Sequence, residues 1–396
     1  VNQESSSESK SRPDSPPRGA PAGARKRLHR IAGVLVASAL LFVLLEGASS
    51  IALATYRTVG PSSVGINVYD TLLGWTGRPL VDLPAHWGWR RGVHTNSRGF
   101  RGTEEIEAEE PAGRLRVLCL GDSFVFGDGV DDRDAWCHRL GVVDSTLQTI
   151  NLALPGYGVG QAYLRYERDA EPFEHSIVLF AFIGDDFVRL GLRSRNGYAK
   201  PLLRAAGEGV EATHVPPPRA LPAIGRTVTR WTEHLRLIEL ANRGLARPFR
   251  ALADRRASTD PDLERVATNV FRATRALVER RGGAVLFAYL PTLHDVDADL
   301  AWRARATEIL DGLGYPFVDL TDSLRSVPPA LRSALFLPPG DPAQGHYSVS
   351  GNSWVAGELH RVLVERGFVP GPTPDGGESG PAAPPARTSA RPSGGR

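Results

Sequence analysis

Residues 114–127, RLRVLCLGDSFVFG, place a serine hydroxyl at the end of a buried strand. Leu115, Val117, Leu118, Cys119 and Leu120 form the near-continuous apolar run of a parallel strand covered on both faces. Gly121 permits a sharp turn, and Asp122 and Ser123 follow at the carboxyl end, the edge at which open α/β sheets bind ligands. A serine hydroxyl is a weak nucleophile until a base takes its proton. His346, in the stretch GHYSVSGNSWVA, is the candidate base, set in a turn just before a helix. Asp341 is the candidate acid for the second ring nitrogen, where it would fix the tautomer and stabilise the imidazolium. It precedes the histidine by five positions, so the loop must double back, which Gly340, Pro342 and Gly345 allow. The backbone N–H groups of Ser123 and of Gly156, in NLALPGYGVGQ, are candidate donors to a developing oxyanion. The spacing is not the G-x-S-x-G elbow, because Val125 stands where the second glycine would be.

Taken in order, GDS at 121–123, Gly156, FIGDDF at 182–187 and the block around His346 resemble the motifs of the SGNH (GDSL) hydrolase family, over roughly residues 69–367. The resemblance makes Ser123 the nucleophile and Gly156 an oxyanion donor. It also marks two departures. The third block ordinarily reads G-N-D or G-x-N-D, but here Asp185 occupies the place of the asparagine, between Gly184 and Asp186. The last block ordinarily carries its aspartate two or three residues before the histidine, not five. NSRGFRG, residues 96–102, looks like the run before the first block in membrane-anchored members.

The alternation of strands and helices, together with the resemblance, implies a three-layer α/β/α domain with about five parallel strands, SGNH-hydrolase-like and flavodoxin-like, and the resemblance implies a serine esterase acting through an acyl-serine intermediate. Its substrate would be an O-acylated glycan or lipid, and no cofactor or metal is implied. Two alternatives stand beside it: an O-acyltransferase using the same serine and histidine, and a surface-binding protein that has kept the fold without catalysis.

Asp185 poses a problem of charge. An ionised carboxylate about 4 Å from an oxyanion would repel it by roughly 4 kcal/mol at an effective dielectric near 20. It is therefore expected either to be protonated and to donate as the asparagine would, or to turn away and accept from the backbone.

The 396 residues exceed one ordinary domain, but both ends lack core-forming residues. Residues 1–30 read as a disordered basic cytoplasmic tail and 370–396 as a disordered tail rich in Pro, Gly and Ala. Arg25, Lys26, Arg27 and Arg30 precede an apolar run that, with its continuation past Glu46, covers 31–54. That length crosses a hydrocarbon core, and the basic flank puts the N-terminus inside. The expectation is a single-pass anchor in the cell membrane with the rest of the chain outside. The alternative is a signal peptide cleaved after Ala54 in Ala52-Leu53-Ala54. A net charge of +3 with scattered arginines speaks against a nucleic-acid partner. Cys119, in the strand, and Cys137, in the helix after it, are read as buried free thiols, a disulfide being the alternative in an oxidising compartment.

Residues 55–112 read as an extracytoplasmic lead-in of irregular strands and loops, whose tryptophans are expected to pack rather than to bind substrate. Residues 113–369 form the hydrolase-like domain. Strands are predicted at 115–120, 147–154, 177–183, 284–290 and 316–320. Helices are predicted at 134–141, 160–167, 261–280, 300–313 and 354–364, with Asp260 as N-cap and Pro261 at the first helical position. Strands alternating with helices imply a parallel sheet with right-handed crossovers. Residues 187–257 interrupt the pattern as an insertion, with a hairpin around Gly207-Glu208-Gly209 and a helical stretch at 226–243. His294, at a strand end, is a second histidine near the expected active edge.

Overall fold

The computed structural model describes residues 22–57, 65–196, 198–218, 260–296 and 300–371. Of the expected tails, residues 1–21 and 372–396 lie outside the described residues, as does the helix expected at 226–243; residues 22–30, expected to be disordered, instead open the helix Ala22–Arg57.

Five parallel strands make the central sheet: β1 Leu115–Leu120, β2 Leu147–Asn151, β3 Ile177–Phe182, β4 Ala284–Tyr289 and β5 Phe317–Asp319, in the order β5-β4-β3-β1-β2. Their apolar runs are the reason they sit centrally, since every residue of β3 is buried. The main helices are α1 Trp136–Val143, α2 Val159–Asp169, α3 Pro261–Arg280, α4 Ala301–Gly312 and α5 Val349–Glu365. The step from β1 to β2 runs opposite to the steps β2 to β3, β3 to β4 and β4 to β5. Right-handed crossovers therefore put α1 on one face and α2, α3 and α4 on the other. The packing agrees: α1 lies against α5, and α3 against both α2 and α4. The direction of winding reverses between β1 and β3, and their carboxyl ends flank the crevice where such sheets bind ligands.

Local signals explain the boundaries. Asp260 caps α3, its Oδ1 accepting from Asp262 N at 2.9 Å and Leu263 N at 3.4 Å, with Pro261 in the first turn. The second strand ends at Asn151 rather than 154, because the Asn151 side chain turns back to accept from Ala153 N and to donate to Val125 O. The last helix begins at Val349 rather than 354. Its first turn is polar and so lacks periodicity, but Ser348 caps it through Gly351 N. Asn352 in that turn donates to Tyr347 O and accepts from Trp136 N, joining the starts of α5 and α1.

Cys119 and Cys137 are paired in a disulfide between β1 and α1, correcting the expectation of free thiols. Both were placed on the right elements, but their approach depends on how α1 docks.

The lead-in segment packs into the domain, but not all of its tryptophans do as expected: Trp75 and Trp87 are buried, whereas Trp89 is 86% exposed. Trp75 is fully buried, and its carbonyl accepts from Tyr157 Oη at 2.6 Å. In NSRGFRG, Asn96 Oδ1 holds the turn by accepting from Arg98 N and Phe100 N. Arg101 then reaches under the serine turn. Its guanidinium donates to Phe126 O and Gly127 O, each at 2.6 Å, and to Val130 O at 2.7 Å, with Asp132 on Nε at 2.7 Å. One described helix, Ala22–Arg57, contains a 19-residue stretch, His29–Gly47, long and apolar enough to cross a membrane. The hairpin expected around Gly207 is present, pairing Leu202–Ala206 with Gly209–Thr213.

Candidate active site

Ser123 opens the short helix Ser123–Phe126 directly after β1. Asp122 is its N-cap: Oδ1 accepts from Phe124 N at 2.9 Å. The Ser123 Oγ lies 2.9 Å from Nε2 of His346, across 223 residues of sequence. The other ring nitrogen, Nδ1, is 3.0 Å from the carbonyl of Ala343. A carbonyl only accepts, so Nδ1 carries the proton and Nε2 is left as the acceptor for the serine O–H. The ring is further fixed against Phe124, centroids 4.7 Å apart, and the next residue, Tyr347, donates to Pro291 O at the end of β4.

Asp341 does not take the place expected of it. Its Oδ2 is 2.7 Å from Arg91 Nη1, and its Oδ1 accepts from Ala343 N at 2.9 Å. The loop does double back, since Gln344 N donates to Asp341 O and His346 N to Ala343 O. That reversal brings a backbone carbonyl, not the carboxylate, to the histidine.

Beneath the serine lies a buried charge cluster. Arg189 Nη1 donates to Asp122 Oδ2 at 3.0 Å, to Tyr157 O at 2.6 Å and to Asp186 Oδ1. One guanidinium thus ties together the turns after β1, β2 and β3. Burial, then repulsion from Asp122, pushes the Asp186 carboxyl well above its usual range. Burial alone would weaken the charge of Arg189, but Asp186 and Asp122 outweigh it and hold the guanidinium protonated. Nearby, Lys200 gives its ammonium to three carbonyls, those of Arg189, Leu192 and Pro201, and burial lowers it to about 8.

Gly156 has φ 83°, and a Cβ there would strike the amide of Asn196. Neither Ser123 N nor Gly156 N donates to an acceptor among the described residues, which leaves both for an oxyanion. Asp185 is half-buried in the helix Gly184–Val188, and its side chain has no hydrogen-bond partner among the described residues. The bond from the backbone that was one expectation for it belongs to Asp186, which accepts from Ile183 N at 3.1 Å.

Three residues escaped sequence reasoning. Arg189 and Asn196 lie in the interrupted stretch after β3 and carry no motif. Asp128 is nine-tenths buried five residues after the serine, and only its nearness to the motif could have singled it out. His294, by contrast, is exposed in a turn after β4 and is not the histidine at Ser123. No group of three metal-ligating side chains occurs among the described residues.

No family model matches the chain, and no curated protein matches it. Solved structures do. Its likeness is to G-D-S-L family proteins and esterases. A member of the lipolytic protein G-D-S-L family from Veillonella parvula DSM 2008 is 12% identical, the match covering 63% of this chain and 97% of that one with a TM-score of 0.35. The psychrotrophic esterase EstA from Pseudoalteromonas sp. is 13% identical over 63% of this chain and 97% of its own, TM-score 0.36. The acetyl xylan esterase AlAXEase is 13% identical over 63% and 100%, TM-score 0.36. At that distance a shared activity does not follow from likeness, and the site's own geometry has to carry the function.

Proposed function

We propose that this chain is a serine ester hydrolase. The observation that carries the reading is the 2.9 Å approach of His346 Nε2 to Ser123 Oγ, with Nδ1 committed to Ala343 O. In the first step Ser123 Oγ bonds to the ester carbonyl carbon while its proton passes to Nε2. The oxyanion is met by the N–H groups of Ser123 and Gly156. His346 returns the proton to the departing alkoxide, leaving an acyl-serine. Water then attacks the acyl carbon, giving a proton to the same nitrogen; the bond to Ser123 Oγ breaks, Nε2 returns that proton to Oγ, and the acid is released.

We further propose that the reaction takes place outside the cytoplasm, with the N-terminal helix as a membrane tether. The apolar stretch 29–47 behind a basic flank supports this, and so does the Cys119–Cys137 disulfide, since such bonds persist in oxidising compartments. The proposed substrate is an O-acylated glycan. Trp89, 86% exposed, offers a flat apolar face two residues from Arg91, which is anchored to Gly129 O and Asp341 beside the histidine loop.

A fluorophosphonate probe tests the nucleophile. The full chain should label, Ser123→Ala should not, and the variant should lose hydrolysis of p-nitrophenyl acetate with its circular dichroism unchanged. Full hydrolysis by folded Ser123→Ala would sink the reading. Acetate release from acetylated oligosaccharides, compared with simple acyl esters, tests the substrate class.

A further inference from the structure

Among the described residues, no carboxylate is bonded to the base at this site. When His346 accepts the serine proton, the ring becomes a cation whose Nδ1 is hydrogen-bonded to the carbonyl of Ala343, while Asp341 is neutralised by Arg91. The ring is half-buried, so a counter-charge would favour its protonated form, and the chain supplies one by another route.

The short helix of Ser123 ends at Gly127, and the chain turns back so that Asp128 N donates to Ser123 O at 3.0 Å. The next residue, Gly129, has φ 89° and lies so close to Ala343 and Leu337 that a Cβ would collide with both. Asp128 is therefore wedged between the serine turn and the segment that carries His346. It is 9% exposed, and its Oδ1 has no hydrogen-bond partner among the described residues. Such an atom is costly unless something charged compensates it. Arg101 is near, but its N–H groups serve Phe126 O, Gly127 O, Val130 O and Asp132. Arg91 serves Gly129 O and Asp341. Asp122, the other acid facing it, is bound by Arg189.

We infer that Asp128 is the buried negative charge that stabilises the protonated ring of His346, the part the motif pattern gives to Asp341. This rests on reading Ser123 and His346 as nucleophile and base. Burial raises the Asp128 carboxyl to about 6, Asp122 adds to the rise, and His346 followed by Arg101 opposes it. No proton is transferred to Asp128. The serine proton goes to Nε2 and leaves on the alkoxide, and the carboxylate stays ionised throughout. Asp128 acts through the histidine and is a positioning residue.

The test uses full-length protein with isotope-labelled histidine, comparing wild type, Asp128→Asn and Asp341→Asn. In Asp128→Asn the pH midpoint at which the His346 ring resonances titrate should fall by about one pH unit, the size expected on losing a nearby opposite charge. The kcat should fall about ten- to a hundredfold with KM little changed, and Asp128→Glu should restore part of it. In Asp341→Asn the midpoint should stay in place. A folded Asp128→Asn with an unmoved or raised midpoint overturns the inference, as does a midpoint that moves with Asp341→Asn instead. If Asp128→Asn does not fold, Asp128→Ser is read in the same way. The resonance measurement needs no turnover, so it decides the inference even if Ser123→Ala shows that the chain is not a serine hydrolase.

Discussion

Arg91 Nη1 lies 2.7 Å from Asp341 Oδ2, and this pairing settles what the carboxylate does. Because Arg91 also donates to Gly129 O at 3.0 Å, Asp341 joins the lead-in segment to the loop that carries the histidine. It supports the loop and does not touch the ring.

Asp341→Ala should therefore cost little in chemistry. The kcat is expected to fall less than about tenfold, against the two to four orders of magnitude expected for His346→Ala as the general base. Arg91→Ala should reproduce the Asp341→Ala effect, and the double variant should be no worse than either single one, as for two members of one contact. Steady-state kinetics on one ester would check all four proteins. A loss at Asp341 as large as that at His346 would contradict the geometry.

Arg189 stands between two buried acids, Asp122 and Asp186. Arg189→Met leaves both carboxylates without their cation and should destabilise the domain by about 3–5 kcal/mol. Adding Asp122→Asn and Asp186→Asn should recover much of that stability without recovering activity, since the turns after β1, β2 and β3 would still lack their common tie. Denaturant titration of the single and triple variants separates the two effects.

The Cys119–Cys137 bond closes an 18-residue separation between β1 and α1. Replacing both residues with Ala should lower stability by about 3 kcal/mol, or roughly 6–10 °C in Tm. The same loss should appear when wild type is measured with reductant, and the reductant should leave the double variant unchanged.

Asp128 carries a stability cost whose sign follows from its raised carboxyl. The native state holds the proton up to about pH 6, whereas the unfolded chain loses it near 4. Between those values the native state binds more protons, so stability rises as pH falls through the window. Asp128→Asn should thus be the more stable protein at pH 7.5, by up to about 3 kcal/mol, and the gap should close between about pH 6 and pH 4. Thermal melts at several pH values would show it. A variant less stable than wild type at pH 7.5 would mean that the carboxylate is already compensated.

How far the sequence could be read depended on the range of the interaction. The strands at 115–120 and 177–182 were legible because burial on both faces leaves an unbroken apolar run, and α3 because Asp260 and Pro261 announce its start. Ser123 and His346 were legible through their blocks, even though 223 residues separate them. What could not be read were choices among distant partners. Asp341 is five residues from His346, but it is bound by an arginine 250 residues away. The disulfide depends on the docking of α1, and Arg189 on the convergence of three strand ends. A chain order does not reveal which carboxylate wins a given cation when each is available.

Asp185 and Asn196 decide the remaining question at the oxyanion. Asp185 stands where the motif pattern expects an asparagine, and its side chain has no hydrogen-bond partner among the described residues. The amide set against Gly156 belongs to Asn196, which adopts φ 51° between the short strands Ser194–Arg195 and Tyr198–Ala199. Its Nδ2 spends one donor weakly, on Pro155 O at 3.4 Å, and keeps another. That amide lies where it would touch a Cβ of Gly156, which makes it the side-chain donor we propose for an oxyanion bound at Gly156 N. Asp185→Asn is thus expected to keep or raise activity, because it removes a negative charge from the site without removing a donor. Asn196→Ala should lower kcat by about a hundredfold with KM little changed, the usual cost of one oxyanion donor. Parallel kinetics on one ester, with circular dichroism of each variant, provide the check. An inactive but folded Asp185→Asn would give the carboxylate a chemical role of its own, and an unaffected Asn196→Ala would leave the oxyanion to the two backbone groups.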